Sequence, residues 1–291
     1  MQTIGNLRNP NLWSLSIRRG SQIMRAKIEA ELDKSQRREP GERIDPVAEE
    51  RKLLEFLVKF SGTPNPATSA LAEEMENALK ACGYVVRRVK IKALSRGLVG
   101  ASASYGKIPF EVGLSFDSFL NVPYIPGSTI KGAVRSGVYE ILLRSGRQEA
   151  DADQICGRLF GDRGSIGLIG FTDAYPVKAG VKEYLLYPDV MTPHYTDDTK
   201  NELEVRPNPV TFLTIAPSTT FQFYMFYRKG RGERLLRVGT GLDADLAENP
   251  VAEISSLGVV DMGLLYSFYR GVGAKTSVGY SRFEVVEYTK V

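Results

Sequence analysis

The chain is poor in the residues that build disulfide frameworks, metal sites and acid–base centres. Its 291 residues include two cysteines, Cys82 and Cys156, and one histidine, His194. Two cysteines are too few for a disulfide framework or a zinc site, so a reducing compartment is the simpler expectation. A single histidine without an evident partner offers little for general acid–base catalysis. We therefore predict no cofactor, no metal and no enzymatic activity.

Long apolar runs are also lacking. No stretch is apolar over the roughly 18 residues that a membrane-spanning helix needs, and no apolar core of a secretory signal stands near the N-terminus. Hydrophobic residues make up 43% and charged residues 25% of the chain, which is the usual globular mix. The net charge of +4 permits nucleic-acid binding without requiring it. We expect a cytoplasmic protein that does not bind membranes.

The first 83 residues are predicted to be helical. Apolar residues recur there at helical spacing. Asp45 followed by Pro46 is typical of a helix start, and Gly83 is typical of a helix end. No motif in this region carries recognisable chemistry, so residues 1–83 are interpreted as a helical region that serves packing or a partner surface.

From Tyr84 the pattern changes to that of β-strands. Residues 84–94 are rich in valine and isoleucine with cations in between, which predicts a strand with a basic edge or face. Such a strand could follow a nucleic-acid backbone, or it could be a solvated edge protected against aggregation, and both interpretations stay open. Further strands are predicted at 165–172, 208–217, 219–227 and 283–288, with a tight turn at 157–164 and a helix at 253–269.

The most informative stretch is 122–135, Val-Pro-Tyr-Ile-Pro-Gly-Ser-Thr-Ile-Lys-Gly-Ala-Val-Arg. Its prolines and glycine predict a loop, and Ser128 and Thr129 could then cap a helix whose free N–H groups attract anions. Lys131 and Arg135 share one helix face, and Gly132 allows close approach. A capped helix with cations on a solvated face is the plainer alternative. The candidate phosphate ligands here are Gly127, Ser128, Thr129, Lys131, Gly132 and Arg135.

A second glycine-rich loop spans residues 271–282. It lacks the order of a Walker A loop, and it follows a helix and enters a strand, unlike a dinucleotide-binding loop. Its glycines allow close approach of a ligand, and its polar residues can donate to phosphate oxygens. We expect the two loops to border one groove for a polyanion, with Lys131, Arg135 and Lys275 on its flanks. The candidates in this loop are Gly271, Gly273, Lys275, Thr276, Ser277 and Arg282.

Several motifs together resemble a known family. Residues 123–135, the Phe-Gly-Asp at 160–162 with the Gly-Phe-Thr-Asp-Ala at 170–174, and the loop 271–282 resemble the RAMP superfamily of CRISPR-associated RNA-binding proteins. A narrower resemblance is to the sixth subunits of type III-B (Cmr) CRISPR effectors. It rests on Asp-Val-Met-Thr-Pro-His-Tyr at 189–195, followed by Asn-Pro-Val-Thr-Phe-Leu at 208–213. Ser281 departs from the family loop, which more often has glycine there.

The resemblance implies an α+β protein with a ferredoxin-like, RRM-related RAMP core at residues 84–291, which follows the helical region 1–83. It implies a noncatalytic subunit that binds the CRISPR RNA backbone near its 3′ end and caps the effector filament. The implied partners are CRISPR RNA, base-paired target RNA, other RAMP backbone subunits and small helical subunits. Residues 184–207, acidic and rich in turns, are predicted to be an inserted excursion that meets a neighbouring subunit or the RNA duplex.

Two other functions stay open. Some members of the superfamily are ribonucleases, and here His194, or a metal held by Asp117, Asp162 or Asp173, would have to supply the chemistry. No pair of these aspartates has ligand spacing, and turn packing is the plainer role of both His194 and Asp162. The third possibility is a purely structural cap whose loops contact protein rather than RNA.

Overall fold

The computed structural model describes residues 10–36, 45–62, 66–103, 105–191, 209–228 and 258–291. The helices in these ranges are α1 Leu12–Gln36, α2 Pro46–Lys59, α3 Pro66–Ala81, α4 Lys107–Phe110, α5 Gly127–Arg144, α6 Glu149–Phe160 and α7 Val259–Arg270. The strands are β1 Tyr84–Ala93, β2 Phe116–Asp117, β3 Val122–Pro123, β4 Ile169–Phe171, β5 Tyr175–Lys178, β6 Leu186–Met191, β7 Val210–Ile215, β8 Thr220–Arg228 and β9 Phe283–Lys290.

The N-terminal helices form where the sequence predicts them. Asp45 is the N-cap of α2, and its carboxylate accepts a hydrogen bond of 3.0 Å from the N–H of Val47. Pro46 occupies the first helical position, where a missing N–H costs nothing. Leu57 of α2 is fully buried in the main core. The predicted helix start is therefore confirmed.

The main sheet has the strand order β4-β8-β1-β9, and β5 also pairs with β8. Every neighbouring pair in this sheet is antiparallel. Strand β1 is thus an interior strand, and the prediction of a basic edge is wrong. Two cations of β1 instead reach acidic partners, with Arg88 lying 2.6 Å from Glu76 and Lys90 lying 2.6 Å from Glu287. These ion pairs neutralise much of the charge that suggested an RNA-binding strand.

The alternation of side chains along the strands gives this sheet two packed faces. On one face, Val86 and Tyr224 pack against Ala72 of α3. On the other face, the ring of Phe223 lies 5.7 Å from the ring of Phe268 in α7. Helix α5 packs along α7 on this second side. Helices α5 and α7 therefore lie on the same face of the main sheet. The loop that leads into α5 and the loop that follows α7 meet at one end of this face.

A second, two-stranded sheet joins β6 to β7 in antiparallel register. Residues 186–191 belong to the predicted excursion 184–207, yet they form a strand, and Leu186 is fully buried. This part is a core element rather than an irregular insertion. Residues 192–207 lie outside the described residues, and so does His194.

Other differences from the sequence predictions concern short elements. Gly157 lies within α6, a helix that the sequence analysis missed, and the turn begins only at Gly161. Strand β4 covers three residues of the predicted strand 165–172. Helix α7 starts at Val259, and residues 253–257 of its predicted range lie outside the described part. The mixture of helices with an antiparallel sheet agrees with the predicted α+β class. Within the described ranges, no helix is both long and apolar enough to cross a membrane.

Candidate nucleic-acid interface

A groove of about 620 Å³ lies where the first turns of α5 meet the loop that follows α7. The structure therefore brings together the two stretches that the sequence analysis singled out. Half of the predicted ligands line this groove: Ser128, Thr129 and Gly132 from α5, and Gly271, Gly273 and Thr276 from the loop.

The start of α5 is fixed by packing against the strand region 171–173. The N–H of Gly127 donates a hydrogen bond of 2.7 Å to the carboxylate of Asp173. Gly127 is buried, and a Cβ there would lie 2.6 Å from the carbonyl oxygen of Phe171. Its absence of a side chain thus serves close packing. The prediction that Gly127 is a phosphate ligand needs correction, because its N–H is already bonded and its surface is covered.

Ser128 and Thr129 belong to the first turn of α5 and do not cap it. The N-cap residue is Pro126, and no side-chain cap is formed. The predicted capping role is therefore wrong, but it leaves both hydroxyl groups at the groove. Among the described residues, no acceptor pairs with the N–H of Ser128. This N–H lies at the positive end of the helix, where anions are stabilised.

The exposed ridge of α5 is made of small residues. Ser128, Gly132 and Ser136 recur every four residues, so they stand in one row, and all three are exposed. A Cβ at Gly132 would meet nothing within 4 Å. A ligand can therefore approach the helix backbone closely along this row.

The floor of the groove depends on a close contact between α5 and α7. A Cβ at Gly137 would lie 2.2 Å from Ser267 Oγ and 2.6 Å from the carbonyl oxygen of Gly263. The Ser267 hydroxyl lies 2.8 Å from the carbonyl oxygen of Ala133 and 2.6 Å from that of Gly263. Only glycine at 137 permits this helix separation, which sets how near the two sides of the groove stand.

The glycine loop owes its shape to left-handed backbone conformations. Gly273 has a φ of 135°, and a Cβ there would lie 2.6 Å from the carbonyl oxygen of Leu98. The loop then makes a 3₁₀ turn at Thr276–Val278. The N–H groups of Gly273 and Ser277 have no acceptor within the described part of the chain. Of these two residues, Gly273 lines the groove and Ser277 lies outside it.

Ser281 shows how the chain tolerates a residue other than glycine in this loop. Its φ is 57°, in the left-handed region, and its side chain is fully buried. Its hydroxyl accepts a hydrogen bond of 2.8 Å from the N–H of Leu98. This bond offsets the strain of a left-handed serine, since a buried N–H without a partner is costly.

Lys131 and Arg135 lie on one side of α5, as their spacing predicts, but they face a different cavity. This second cleft of about 630 Å³ is bordered by the turn 160–167, including Arg163. Arg135 donates a hydrogen bond of 2.8 Å to the carbonyl oxygen of Gly161. The expectation that these two cations and Lys275 flank one groove is therefore wrong, and Arg135 also ties α5 to the turn.

The remaining loop candidates stand away from both cavities. Lys275, Ser277 and Arg282 line neither of them. The ammonium group of Lys275 contacts the sulfur of Met191 at the end of β6. Ser277 and Arg282 are exposed. They can meet a ligand only where it leaves the groove.

Sequence reasoning missed Arg270, a cation that lines the groove. Arg270 is the last residue of α7 and directly precedes Gly271. Its position next to the glycine loop could have indicated it as a candidate from the sequence. Its guanidinium donates a hydrogen bond of 3.0 Å to the hydroxyl of Tyr266, which in turn lies 2.6 Å from Glu140. The hydrogen bond from Tyr266 lowers the pKa of Glu140, and the nearby arginines add to this effect. The carboxylate is charged at neutral pH and holds Arg270 at the groove end.

The candidate acidic residues are engaged in local structure. Asp162 accepts hydrogen bonds from the N–H of Gly164 and the hydroxyl of Ser165, which lower its pKa. Asp117 accepts from the hydroxyl of Tyr175, and Asp173 from Gly127. No group of three or more metal-binding side chains is found across the described ranges.

Comparisons with known proteins agree with these features. The model of the RAMP superfamily matches residues 90–284. The CRISPR system Cmr subunit Cmr6 of Saccharolobus solfataricus is 36% identical over 235 residues, which cover 81% of this chain and 70% of that protein. Cmr6 of Pyrococcus furiosus is 27% identical over 256 residues, and the match covers 68% of this chain and 67% of that protein.

A solved structure is similar over nearly the whole chain. It is a chain of the type III-B Cmr-beta complex bound to cognate target RNA, determined by cryo-electron microscopy. It is 28% identical, with a TM-score of 0.71, and the match covers 97% of this chain and 93% of that one. The resemblance read from the sequence motifs is thus confirmed. The chain belongs to the RAMP superfamily and, within it, to the Cmr6 family of type III-B CRISPR effector subunits.

Proposed function

We propose that this chain is a noncatalytic subunit that binds the sugar–phosphate backbone of CRISPR RNA in the groove between α5 and the loop 271–279. The observation that carries the proposal is the convergence of two distant glycine-containing stretches on one groove. Hydroxyls, free N–H groups and Arg270 face it, and these groups suit phosphate and sugar oxygens. Contacts of this kind hold RNA of any sequence, as a subunit that serves many CRISPR RNAs must.

We further propose that the core is ferredoxin-like. In chain order, β1, the β4 and β5 region, β8 and β9 alternate with α5 and α7 as β-α-β-β-α-β. The interior position of β1 between β8 and β9, with β4 beyond β8, supports this proposal.

Binding near the 3′ end of CRISPR RNA and capping of the filament remain part of the proposal. The structural relative comes from a type III-B complex bound to target RNA, which supports RNA and other subunits of such a complex as partners. Other RAMP subunits and small helical subunits are the partners we expect, in the cytoplasm. The engagement of Asp117, Asp162 and Asp173 with neighbouring groups supports a role without catalysis.

A charge series at Gly132 tests the groove. This position is exposed, and a Cβ there meets nothing within 4 Å. Gly132→Glu, Gly132→Gln and Gly132→Lys all replace glycine by better helix formers, so folding should be preserved. A charge about 4 Å from a phosphate changes the binding free energy by about 1 kcal/mol in water, or roughly fivefold in affinity.

The measurement is the dissociation constant of a fluorescent single-stranded RNA at several salt concentrations. We expect the order Lys tighter than Gln and Gln tighter than Glu, with differences that shrink as salt screens the charges. Equal affinities for the three variants would remove the α5 ridge from the RNA site. If the unaltered chain also bound no RNA, the purely structural cap would be the better interpretation.

A further inference from the structure

The carboxylate of Asp189 is buried at the junction of three segments. Asp189 lies on β6 with 7% of its surface exposed. Its Oδ1 lies 2.6 Å from Nη1 of Arg96, and its Oδ2 accepts a hydrogen bond of 2.6 Å from the hydroxyl of Tyr280. The N–H of Val190 also donates to Oδ1 at 2.9 Å. One carboxylate therefore links the second sheet, the segment after β1 and the glycine loop.

The partners of Asp189 also hold the glycine loop by other contacts. The carbonyl oxygen of Arg96 accepts a hydrogen bond of 2.9 Å from the N–H of Ser281. The N–H of Tyr280 donates to the carbonyl oxygen of Lys275, which closes the turn that contains Thr276. If Tyr280 moved, the part of the loop that lines the groove would therefore move with it.

Packing keeps this network in place. The guanidinium of Arg96 stacks 5.3 Å from the ring centre of Tyr187 on β6, and the rings of Tyr280 and Phe212 lie 6.5 Å apart. Burial and the hydrogen bond to Asp189 raise the pKa of Tyr280, so its hydroxyl keeps its proton and donates. A buried carboxylate is costly unless it is paired. Here its side-chain pairs reinforce a junction where backbone hydrogen bonds already join Gly97 to Ile215 of β7 and Ser281 to Arg96.

We infer that Asp189 is a positioning residue for the proposed RNA groove: through Tyr280 and Arg96 it holds the glycine loop against the second sheet, so that Gly273 and Thr276 stand opposite α5. The inference rests on the proposed function of the groove. It gives a role to the first residue of the motif 189–195. Asp189 touches no ligand in this scheme, because neither it nor Tyr280 lines the groove.

Two single-atom or near-isosteric changes test the inference. Tyr280→Phe removes the hydroxyl and keeps the ring, and Asp189→Asn removes the charge and keeps the shape. Tyr269→Phe is the matched control, since Tyr269 is 62% exposed and lies outside the network. Hydrogen–deuterium exchange of the full chain without RNA reports the loop, and titration with single-stranded RNA at several salt concentrations reports the groove.

We expect faster exchange confined to residues 271–282 in both variants and none in the control. Without this charge-assisted hydrogen bond, the loop conformation that binds RNA should be less populated. The stability that such a bond typically contributes corresponds to RNA binding that is about tenfold weaker. The slope of log K against log salt should stay unchanged, because no phosphate contact is removed. The double variant should bind RNA little more weakly than Asp189→Asn alone, because the Tyr280 hydroxyl acts through the Asp189 carboxylate.

The outcomes separate the two proposals. Unchanged exchange in 271–282, with RNA binding intact in both variants, would overturn the positioning role alone. Exchange that rises evenly over the main sheet would also overturn it, because it would show a general loss of stability. If the unaltered chain binds no RNA, the proposed function fails, and a positioning role toward RNA fails with it.

Discussion

The contact between α5 and α7 leads to a quantitative prediction at Gly137. In Gly137→Ala, the new methyl group would stand 2.6 Å from the carbonyl oxygen of Gly263 and 2.2 Å from Ser267 Oγ. The hydroxyl can rotate away, but the carbonyl belongs to the backbone of a packed helix. The two helices must therefore move apart, and the groove that they border widens.

The magnitude follows from two opposing terms. Overpacking of a close contact costs about 1–3 kcal/mol, whereas alanine gains about 1 kcal/mol over glycine in a helix. The free energy of unfolding should therefore fall by an amount between roughly 0 and 2 kcal/mol. For a protein of this size, the upper value corresponds to a decrease in Tm of roughly 6 °C.

Gly132→Ala on the same helix is the matched control. A Cβ there meets nothing within 4 Å, so only the helix-propensity term applies, and Tm should rise by about 2 °C. Thermal unfolding followed by circular dichroism measures both variants. If Gly137→Ala proved as stable as Gly132→Ala, the close helix contact would be wrong, and with it the reasoning about the groove floor.

Further predictions concern the second cleft and the candidate catalytic residues. Lys131→Ala should flatten the slope of log K against log salt by about 0.7 without changing Tm, if its ammonium group contacts one phosphate. Arg135→Ala should lower Tm as well, because it removes the hydrogen bond to Gly161, and an unchanged Tm would contradict that role. His194→Ala and Asp162→Ala should leave target-RNA cleavage by a reconstituted complex nearly intact. Loss of cleavage with normal assembly and RNA binding would identify a catalytic residue.

Local spacing was sufficient for much of the fold. The start of α2, the pairing of cations on α5 and the existence of β8 and β9 follow from patterns within a few residues. The strand β6 was missed because its residues 187–189, Tyr-Pro-Asp, lack apolar alternation, and its stability comes from pairing with β7. The position of β1 inside the sheet could not be predicted either, because it depends on strands far away in the chain.

The candidate site shows the same limit more sharply. The sequence analysis identified both loops, and their convergence was a correct expectation. It assigned Lys131 and Arg135 to the wrong side of α5, because helical spacing tells which residues share a face but not which neighbour that face meets. Asp189 belonged to a recognised motif, yet its partner Tyr280 stands 91 positions away, so the contact could be seen only in the fold.

The four sides of α5 explain why its motif combines such different residues. Ile130 and Val134 are buried in the core, and Gly137 fits against α7. Gly132 adds no side chain to the exposed row of small residues, and Lys131 faces the second cleft. Successive residues of a helix are rotated by 100°, so the groove and the second cleft lie on different sides of α5. A ligand that crosses the exposed row of small residues would pass from the hydroxyl and N–H groups of the groove to the cations of the cleft. Hydroxyls, N–H groups and cations are the usual partners of phosphate and sugar oxygens, so the arrangement suits the proposed path of an RNA backbone.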